Sequence, residues 1–428
     1  MSFEHLVVIF SMLLKLTGLW LFVTSLFFLK RLKPYPKHAP RTRFACLIAA
    51  RNEEEVIGGL VSSLVNQTYP KALFDVYVIP NNCTDNTEDA ARKAGASIIT
   101  CCAPVRCKGD ALRQAVGQLM GRGYDAFCVF DADNLVHPDF LAEMNNAFEE
   151  GASVAKARML TKNPHETWVS GCYALYHGLF ETVYNRSRAA IGLSAKLVGT
   201  GFAVHRRVFE KTGGWQTRTI AEDAEFAAVC ASMGERVVWV PGAITFDEAP
   251  TSFRVSLIQR SRWISGIVEV ARLKLPDLWQ TLIRNRPEVS SSRGGSLRLI
   301  DALVFLCLPY IQVIRPVPAI LLFFSPLGRA LPARLFSLLS LSGGSPYLAM
   351  ALTGLAVSYL ALAALGLFIA LLSDRRGRFR NPAMIRSVLL FPVFMASWLP
   401  LTYLAFIHRT TTWQPIRHTG RVRVRDLA

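Results

Sequence analysis

The sequence predicts an α/β fold, a mainly parallel β-sheet flanked by helices, with transmembrane helices at both ends. Strand-like and helix-like patterns alternate through residues 44–250, and such alternation is typical of a mainly parallel sheet with helices on both faces. Long apolar runs lie near both ends of the 428-residue chain. Hydrophobic residues make up 51% of the chain and charged residues only 18%, a composition too apolar for a purely soluble protein of this size.

The N-terminal apolar run, residues 5–29, is interrupted by only one charged side chain, Lys15. It exceeds the ~20 apolar residues that cross a bilayer as a helix. A cleaved signal peptide would start with basic residues, whereas Glu4 precedes this run, so we predict a retained anchor over residues 1–30. The basic residues that follow place the next domain in the cytoplasm by the positive-inside rule. They are Lys30, Arg31, Lys33, Lys37, Arg41 and Arg43.

Residues 31–250 are predicted to form the cytoplasmic domain. Its first strands are expected at 44–50, 76–80, 97–100 and 126–130, and its first helices at 53–66, 87–94 and 108–121. Ligands of open parallel sheets bind beyond the carboxyl ends of the strands. The polar segments that follow three of these strands are therefore expected to converge on one edge. They are Asn52 and Glu53, Asn81–Asp85, and Asp131–Asp133.

The predicted cytoplasmic domain is followed by an interfacial region over residues 251–296. An amphipathic helix is expected at 252–285, and a linker rich in serine and glycine at 286–296. A helix that carries arginines on one face and tryptophan and leucine on the other typically lies in the headgroup plane of a membrane. The region would join the cytoplasmic domain to the C-terminal spans.

Residues 297–408 are predicted to be the C-terminal transmembrane region. The run 346–372 contains no charge and is long enough to span a bilayer. The segment 387–407 is also uncharged but contains two prolines. The segment 297–324 contains Asp301, Arg315 and several prolines, so it is expected to be a broken or partly interfacial helix. Residues 409–428 form a basic tail.

The membrane topology of the C-terminal region stays open at the level of sequence. Basic clusters occur at 374–386 and after residue 408, and a single span at 387–407 would place them on opposite sides. A re-entrant segment broken at Pro392 and Pro400 would resolve this, and so would an additional crossing near 330–342.

The formal charge of +17 is explained by topology and by contact with anionic membrane lipids. Much of the excess lies beside the apolar runs, and no recognisable nucleic-acid-binding motif accompanies it, so no nucleic-acid partner is expected. The nine cysteines show no zinc-ligand spacing and are expected to be reduced thiols.

Asp131-Ala132-Asp133 directly follows a predicted strand. Two carboxylates two residues apart can hold Mg2+ or Mn2+, which would bridge diphosphate oxygens. An ordinary turn is the alternative, because aspartate favours turns. The position at the end of a strand favours the metal interpretation, with Asp131 also on the nucleotide side.

Two further loops and a lysine are candidates for binding a nucleotide. Asp85 would contact the base or ribose, although it could also cap the helix that follows. Ala50, Asn52 and Glu53 open the first helix and would contact the base. Lys108 could reach phosphate, and a solvated surface lysine is the alternative.

Glu222 and Asp223 begin a predicted helix, where acids are favoured by helix electrostatics alone. Asp223 is the candidate general base, which would take a proton from an attacking hydroxyl. Gln259, Arg262 and Trp263 have i, i+3, i+4 spacing and should share one helix face. Arg262 would pair with a departing diphosphate and Trp263 would stack on a sugar; an interfacial helix with snorkelling arginines is the alternative.

These residues, in this order, resemble the family 2 inverting glycosyltransferases, in the membrane-bound processive branch that contains cellulose, chitin and hyaluronan synthases. The resemblance implies a GT-A fold that uses a UDP-sugar and Mg2+ or Mn2+, with Asp223 as base. It also implies an acceptor-binding set, which consists of Gln259, Trp263, Glu222, Gly199, Thr200 and Gly201. The segment Thr412–His418 is similar to the tryptophan-containing tails of many members.

Ala221 and Asn82 depart from the family pattern and leave the choice of donor open. By analogy UDP-GlcNAc and UDP-Glc are favoured, and the acceptor is a glycan or a lipid. The first hypothesis is a membrane-bound enzyme that extends a polysaccharide at the cytoplasmic face of the cell membrane. The alternative is a non-processive lipid glycosyltransferase that resembles ceramide or diacylglycerol glucosyltransferases.

Overall fold

An eight-stranded mixed sheet lies at the centre of the protein. The computed structural model describes residues 3–292, 294–323, 346–373 and 381–408. Within these residues the strands are β1 (Phe44–Ala50), β2 (Phe74–Pro80), β3 (Ser97–Ile98), β4 (Ala126–Asp131), β5 (Leu135–Val136), β6 (Val154–Thr161), β7 (Phe202–His205) and β8 (Val237–Asp247). Their order across the sheet is β3-β2-β1-β4-β7-β6-β8-β5.

Helices cover the sheet and extend from it at both chain ends. In chain order the described helices are α1 (Phe3–Ser25), α2 (Ile57–Val65), α3 (Thr87–Lys93), α4 (Lys108–Leu119), α5 (Phe140–Glu149), α6 (Trp168–Leu179), α7 (Arg186–Ile191), α8 (Arg206–Thr212), α9 (Glu222–Ser232), α10 (Phe253–Ile283), α11 (Pro287–Ser290), α12 (Gly295–Ile314), α13 (Pro316–Phe323), α14 (Pro346–Ser373), α15 (Pro382–Ala396) and α16 (Trp398–Ile407). A π-helical turn, Phe180–Asn185, joins α6 to α7.

The predicted α/β fold is confirmed, and the sheet divides into two parts. Strands β3, β2, β1 and β4 run parallel, as the alternating pattern predicts. Beyond β4 the pairing becomes mixed, because β7 is antiparallel to both β4 and β6 while β6 and β8 are parallel. Strand β1 is buried on both faces, as expected of a strand covered by helices on each side.

Some element bounds differ from the predicted ones. Helix α2 begins at Ile57 rather than at the predicted residue 53. The reason is that Asn52 adopts a left-handed conformation with φ of 57° and the acids after it form a turn. Strand β3 ends at Ile98, and the predicted linker at 286–296 includes the short helix α11.

Four described helical segments are long and apolar enough to cross a membrane: Val7–Leu29, Gly295–Pro318, Ala351–Leu372 and Pro382–Ile407. Helix α12 ends beside Pro316, which agrees with a broken helix at 297–324. The last segment breaks at Ser397, between α15 and α16. The possible crossing at 330–342, the arginines of 374–380 and the tail after residue 408 lie outside the described residues.

A buried ion pair connects the N-terminal helix to the C-terminal region through the central domain. Asp301 of α12 accepts two hydrogen bonds from the Arg188 guanidinium, at 2.8 and 2.9 Å. The same carboxylate accepts a third from Trp20 Nε1 of α1, at 2.8 Å. Because Arg188 belongs to α7, one carboxylate joins three distant parts of the chain.

Candidate active site

A cavity of about 980 Å³ lies at the carboxyl edge of the parallel strands and extends between α10 and the C-terminal helices. It brings together twelve of the residues singled out by sequence: Ala50, Glu53, Lys108, Asp131, Asp133, Gly199, Thr200, Glu222, Asp223, Gln259, Arg262 and Trp263. Asn52, Asp85 and Gly201 are not part of its lining. Side chains more than a hundred positions apart therefore share one chamber.

Asn52 and Asp85 join the two loops that follow β1 and β2. Asn52 Oδ1 accepts a hydrogen bond from the backbone N–H of Thr84 at 2.8 Å. Asp85 accepts from the backbone N–H groups of Glu54 and Thr87, each at 3.1 Å. Burial would raise the pKa of Asp85, but the hydrogen bond from the Thr87 hydroxyl and then those from the two backbone N–H groups outweigh it and lower the pKa. Both side chains therefore hold the rim of the cavity in shape.

The two aspartates of the DxD sequence lie where β4 ends. The backbone N–H of Asp131 donates to Thr200 Oγ1 at 3.0 Å, which fixes the end of the strand against the loop before β7. A Cβ atom added at Gly199 would lie 3.1 Å from Asp131 Oδ2, so glycine permits this close approach. Gly201 has a φ of 63°, and a Cβ there would lie 2.8 Å from Thr245. Its part is therefore to shape the loop.

Negative charge is concentrated around Asp133. Burial, followed by repulsion from Asp133, Asp131 and Asp85, raises the pKa of Glu53 to about 9. Burial and the same two aspartates of the DxD sequence also raise the pKa of Asp247. A divalent cation would relieve this repulsion.

The donor set fits a hard cation that shares its coordination with a substrate. Among the described residues no group of three or more histidine, cysteine, aspartate or glutamate side chains forms a ready metal cluster. Mg2+ usually takes one or two carboxylates together with substrate phosphates and waters. Asp131 and Asp133 would supply the carboxylates of such a site.

Lys108 faces carboxylates in the cavity. Its ammonium donates to Asp131 Oδ1 and to the carbonyl oxygen of Gly199, and it lies 3.4 Å from Glu222 Oε1. Burial would lower the pKa of Lys108, but attraction to Asp131 and Glu222 outweighs it and raises the pKa. In this geometry the lysine holds the acids in place, and the contact with phosphate that the sequence suggested stays a prediction.

Asp223 is held by backbone donors at the start of α9. Its Oδ2 accepts a hydrogen bond from the Gly199 N–H at 2.6 Å, and its Oδ1 accepts from the Ala224 N–H at 2.7 Å. Burial nevertheless raises the pKa of Asp223. Burial also raises the pKa of Glu222 to about 7, although Lys108 opposes the shift. A carboxylate with a raised pKa and a fixed orientation is suited to accept a proton.

Helix α10 presents Gln259, Arg262 and Trp263 to the same cavity, as their spacing predicts. Tyr173 donates a hydrogen bond to Gln259 Oε1 at 2.8 Å, and the Trp263 ring lies nearly parallel to that of Trp398 with centroids 6.3 Å apart. Burial lowers the pKa of Arg262, opposed first by Asp131 and then by Glu222. The guanidinium therefore lies in the field of the DxD acids.

Arg260, two residues before Arg262 on α10, points away from the cavity and packs between α10 and the C-terminal helices. It is fully buried and donates to the Phe394 carbonyl at 3.0 Å and to Ser397 Oγ at 2.9 Å. Its guanidinium carbon also lies 4.1 Å from the centroid of the Phe394 ring. Arg260 thus attaches α10 to α15.

Sequence reasoning missed the far half of the cavity, which is lined by Tyr176, Phe180, Lys196, Phe305, Leu308, Pro309, Gln312, Arg315, Pro316, Met395, Trp398, Leu399 and Thr402. No local pattern marks these residues, because α6, α12, α15 and α16 meet only in the folded chain. Asp247, in contrast, lies at the end of β8, and the same strand-end rule that identified Asp131 would have found it.

Residues 40–266, more than half of the chain, match the family described as Glycosyltransferase like family 2. The chain belongs to this family. A probable glycosyltransferase of Bacillus subtilis strain 168, YdaM, is 30% identical over 234 residues, which are 52% of this chain and 55% of that protein. The β-monoglucosyldiacylglycerol synthase of Nostoc strain PCC 7120 is 27% identical over 286 residues, 64% of this chain and 57% of that protein. This family 2 chain thus spans a little over half the length of these relatives.

A solved structure shares the fold of this family 2 chain over nearly its whole length. It is the mannosyltransferase PcManGT of Pyrobaculum calidifontis, in complex with GDP-Man and Mn2+. The two chains superpose with a TM-score of 0.55 and 17% identity, over 92% of this chain and 98% of the other. The likeness establishes the GT-A fold that the sequence motifs implied.

Proposed function

We propose that the protein is a membrane-bound inverting hexosyltransferase that moves a hexose from a UDP-sugar to a membrane lipid at the cytoplasmic face. One observation carries the proposal: a single cavity contains the carboxylates at the sheet edge and is also walled by the C-terminal helices. An acceptor held by those helices would present its hydroxyl beside Asp223.

The transfer requires one displacement at the anomeric carbon. Asp223 removes the proton from the acceptor hydroxyl, whose oxygen forms a bond to that carbon while the bond to the diphosphate oxygen breaks. The electron pair leaves with UDP, and Arg262 stabilises the charge that develops there. Mg2+ or Mn2+ held by Asp131 and Asp133 would supply further neutralisation of the diphosphate. A single displacement inverts the anomeric configuration.

The shape of the cavity favours a lipid acceptor. Its lining follows α12 from Phe305 to Arg315, the residue that caps the helix, a distance of roughly 15 Å at 1.5 Å per helical residue. Most of the remaining lining there is apolar, including Leu308, Met395 and Leu399. The Nostoc relative is named as a β-monoglucosyldiacylglycerol synthase, which is consistent with an acyl-chain acceptor.

Extension of a polysaccharide is the second candidate, favoured by aromatic residues that line the far half of the cavity, which we call the acceptor path. Trp263 and Trp398 lie nearly parallel, and Tyr176 stacks on Trp398 with centroids 5.3 Å apart. Flat aromatic faces suit sugar rings as well as acyl chains. The Gln259–Trp263 motif, which resembles that of the processive branch of the family, also supports this candidate.

The order of regions in the membrane follows from the same proposal. Residues 1–30 anchor the chain, residues 31–250 form the cytoplasmic catalytic domain and residues 251–296 lie at the interface. Residues 297–408 then contribute the remaining spans. The arrangement places the acceptor path against the bilayer and leaves the UDP-sugar edge facing the cytoplasm.

Product analysis tests the proposal. The purified full-length protein in lipid nanodiscs is incubated with Mn2+ and labelled UDP-Glc or UDP-GlcNAc, and the products are separated by thin-layer chromatography and gel filtration. A labelled glycolipid of low mass is expected. A polymer of increasing length, with no discrete glycolipid, would contradict the lipid proposal and favour the second candidate.

Two carboxylate-to-amide variants control the experiment. Asp223→Asn should abolish transfer, because the amide cannot accept the proton. Glu210→Gln should leave transfer unchanged, since Glu210 pairs with Arg206 on the surface. Full transfer by Asp223→Asn would refute the assigned chemistry for either acceptor.

A further inference from the structure

Lys196 lies in the acceptor half of the cavity, on the loop that leads to β7. Its backbone N–H donates to Asn185 Oδ1 at 2.9 Å, which fixes it against the π-helical turn. Its ammonium lies 4.1 Å from the centroid of the Phe180 ring and 4.8 Å from that of Phe305. Both rings line the cavity together with Lys196 itself.

Among the residues that the structure describes, the Lys196 ammonium has aromatic neighbours but no anionic partner. Within the part of the chain that the structure describes, it forms neither an ion pair nor a hydrogen bond through Nζ. A desolvated cation is unfavourable unless a charge or hydrogen bonds compensate it, and two aromatic faces compensate only in part. Lys108, the other lysine described above, is by contrast saturated by Asp131, Glu222 and Gly199.

The surrounding charges place Lys196 on the acceptor side. Burial lowers the pKa of Lys196 to about 8, and the charge that opposes this shift is Asp223. For Arg262, the first charge that opposes the lowering of its pKa by burial is Asp131. The two cations therefore serve different halves of the cavity, with Arg262 near the metal-binding acids and Lys196 near the general base.

A second cation continues the acceptor path. Arg315 lines the same cavity at the end of α12, ten residues beyond Phe305 and so roughly 15 Å along the helix. A path with a lysine near the base and an arginine farther along attracts an anionic molecule. The apolar lining between them suits an attached hydrocarbon chain.

We propose that Lys196 binds a phosphate in the headgroup of the acceptor lipid, so that the acceptor carries a free hydroxyl and a phosphate together. The hydroxyl lies at Asp223 while the phosphate oxygens accept hydrogen bonds from the ammonium. This inference rests on the proposed lipid glycosyltransferase function and specifies its substrate class.

The test compares two acceptors that differ in the phosphate. Phosphatidylglycerol has a headgroup hydroxyl and a phosphate, and diacylglycerol has a hydroxyl without a phosphate. Each is supplied in nanodiscs to the full-length protein with labelled UDP-sugar and Mn2+. We expect a higher kcat/KM for phosphatidylglycerol, and we expect Lys196→Met to lower it roughly 10- to 100-fold, the range for a charge-assisted hydrogen bond.

Three controls make the result specific. Lys196→Arg should retain most transfer to phosphatidylglycerol, because the guanidinium can also bind phosphate. Lys71→Met, a change at an exposed lysine, should have no effect. UDP release in the absence of acceptor should be the same in Lys196→Met and the wild type, which shows that the donor half of the site remains folded.

The outcomes distinguish failure of the phosphate assignment from failure of the proposed lipid glycosyltransferase function. Equal use of both lipids by the wild type, or an equal loss for both in Lys196→Met, would overturn the phosphate assignment alone. Glycosylation of soluble sn-glycerol 3-phosphate instead of phosphatidylglycerol would assign the site to a free phosphate. Formation of polymer with no glycolipid from either lipid would refute the lipid function itself.

Discussion

Replacing Asp301 by asparagine should destabilise the connection between the N-terminal helix and the rest of the protein. The carboxylate accepts hydrogen bonds from Arg188 and Trp20, and it is only 5% exposed while Arg188 is fully buried. Asparagine keeps the shape of the side chain but removes its charge, and its NH2 group cannot accept a hydrogen bond. The Arg188 guanidinium would then be a buried cation without a counter-ion.

The expected loss is large because Arg188 has little other compensation. Among the described residues its Nη1 has no hydrogen-bond partner, and the guanidinium carbon lies 3.3 Å from the centroid of the Tyr184 ring. Breaking a buried ion pair by removing one partner costs about 3–5 kcal/mol. At ~2 °C per kcal/mol for a large domain, the midpoint of unfolding should fall by roughly 6–10 °C.

The change in the unfolding midpoint is measured by heating the detergent-solubilised protein and monitoring its unfolding by size-exclusion chromatography. Asp277→Asn is the matched control, since Asp277 is exposed on α10 and should alter the midpoint by very little. The double variant Arg188→Met/Asp301→Leu should recover most of the loss, because an apolar pair avoids the buried charge. An unchanged midpoint in Asp301→Asn, or a double variant worse than the single one, would refute this account.

Three further outcomes are expected. Gly266→Ala should lower kcat/KM roughly 10- to 100-fold, because the added Cβ would lie 2.7 Å from the Ala221 Cβ and would push α10 away from α9. The control is Gly117→Ala, which has open space around the added Cβ and should have full activity. Since the pKa of Glu53 is raised from 4.5 to about 9, its contribution to stability is complete below pH 4.5 and is lost as the pH rises through about 9. The unfolding midpoint of the metal-free protein should therefore decline across this range, and a Glu53→Gln variant that declines as steeply would contradict the assignment. Chelation with EDTA should abolish UDP release, and full release in EDTA would exclude a metal requirement. Asp133→Asn should raise the Mn2+ concentration for half-maximal UDP release by roughly tenfold or more.

The parallel half of the fold could be predicted because each element there carries its own local signal. Strand β1 has the predicted bounds, and β4 differs from its prediction only by including Asp131. Both strands are short apolar runs that end at polar residues, which fixes their length. The mixed half could not be ordered in the same way, because the antiparallel position of β7 between β4 and β6 depends on contacts between distant segments.

Helix periodicity also fails where backbone conformation overrides it. The acids at 53–55 continue the pattern of α2, yet the helix starts at Ile57, since the side chain of Asn52 is bonded to the neighbouring loop. That late start leaves Glu53 free to line the cavity. The π-helical turn at Phe180–Asn185 is similarly invisible to a 3.6-residue repeat, and it brings Phe180 to the acceptor path.

The Gln259–Trp263 motif shows why one sequence pattern can have two structural consequences. Successive helical residues are rotated by about 100°, so Arg260 and Arg262 point about 200° apart although they are only two residues apart. Arg262 faces the cavity, and Arg260 is buried against Phe394 and Ser397 of the C-terminal helices. The position of Arg262 relative to Asp131 is therefore set by the packing of α10 on the C-terminal helices, chiefly α12 and α16. A domain separated from those helices would retain the acids at the sheet edge but lose the support that holds the arginine opposite them.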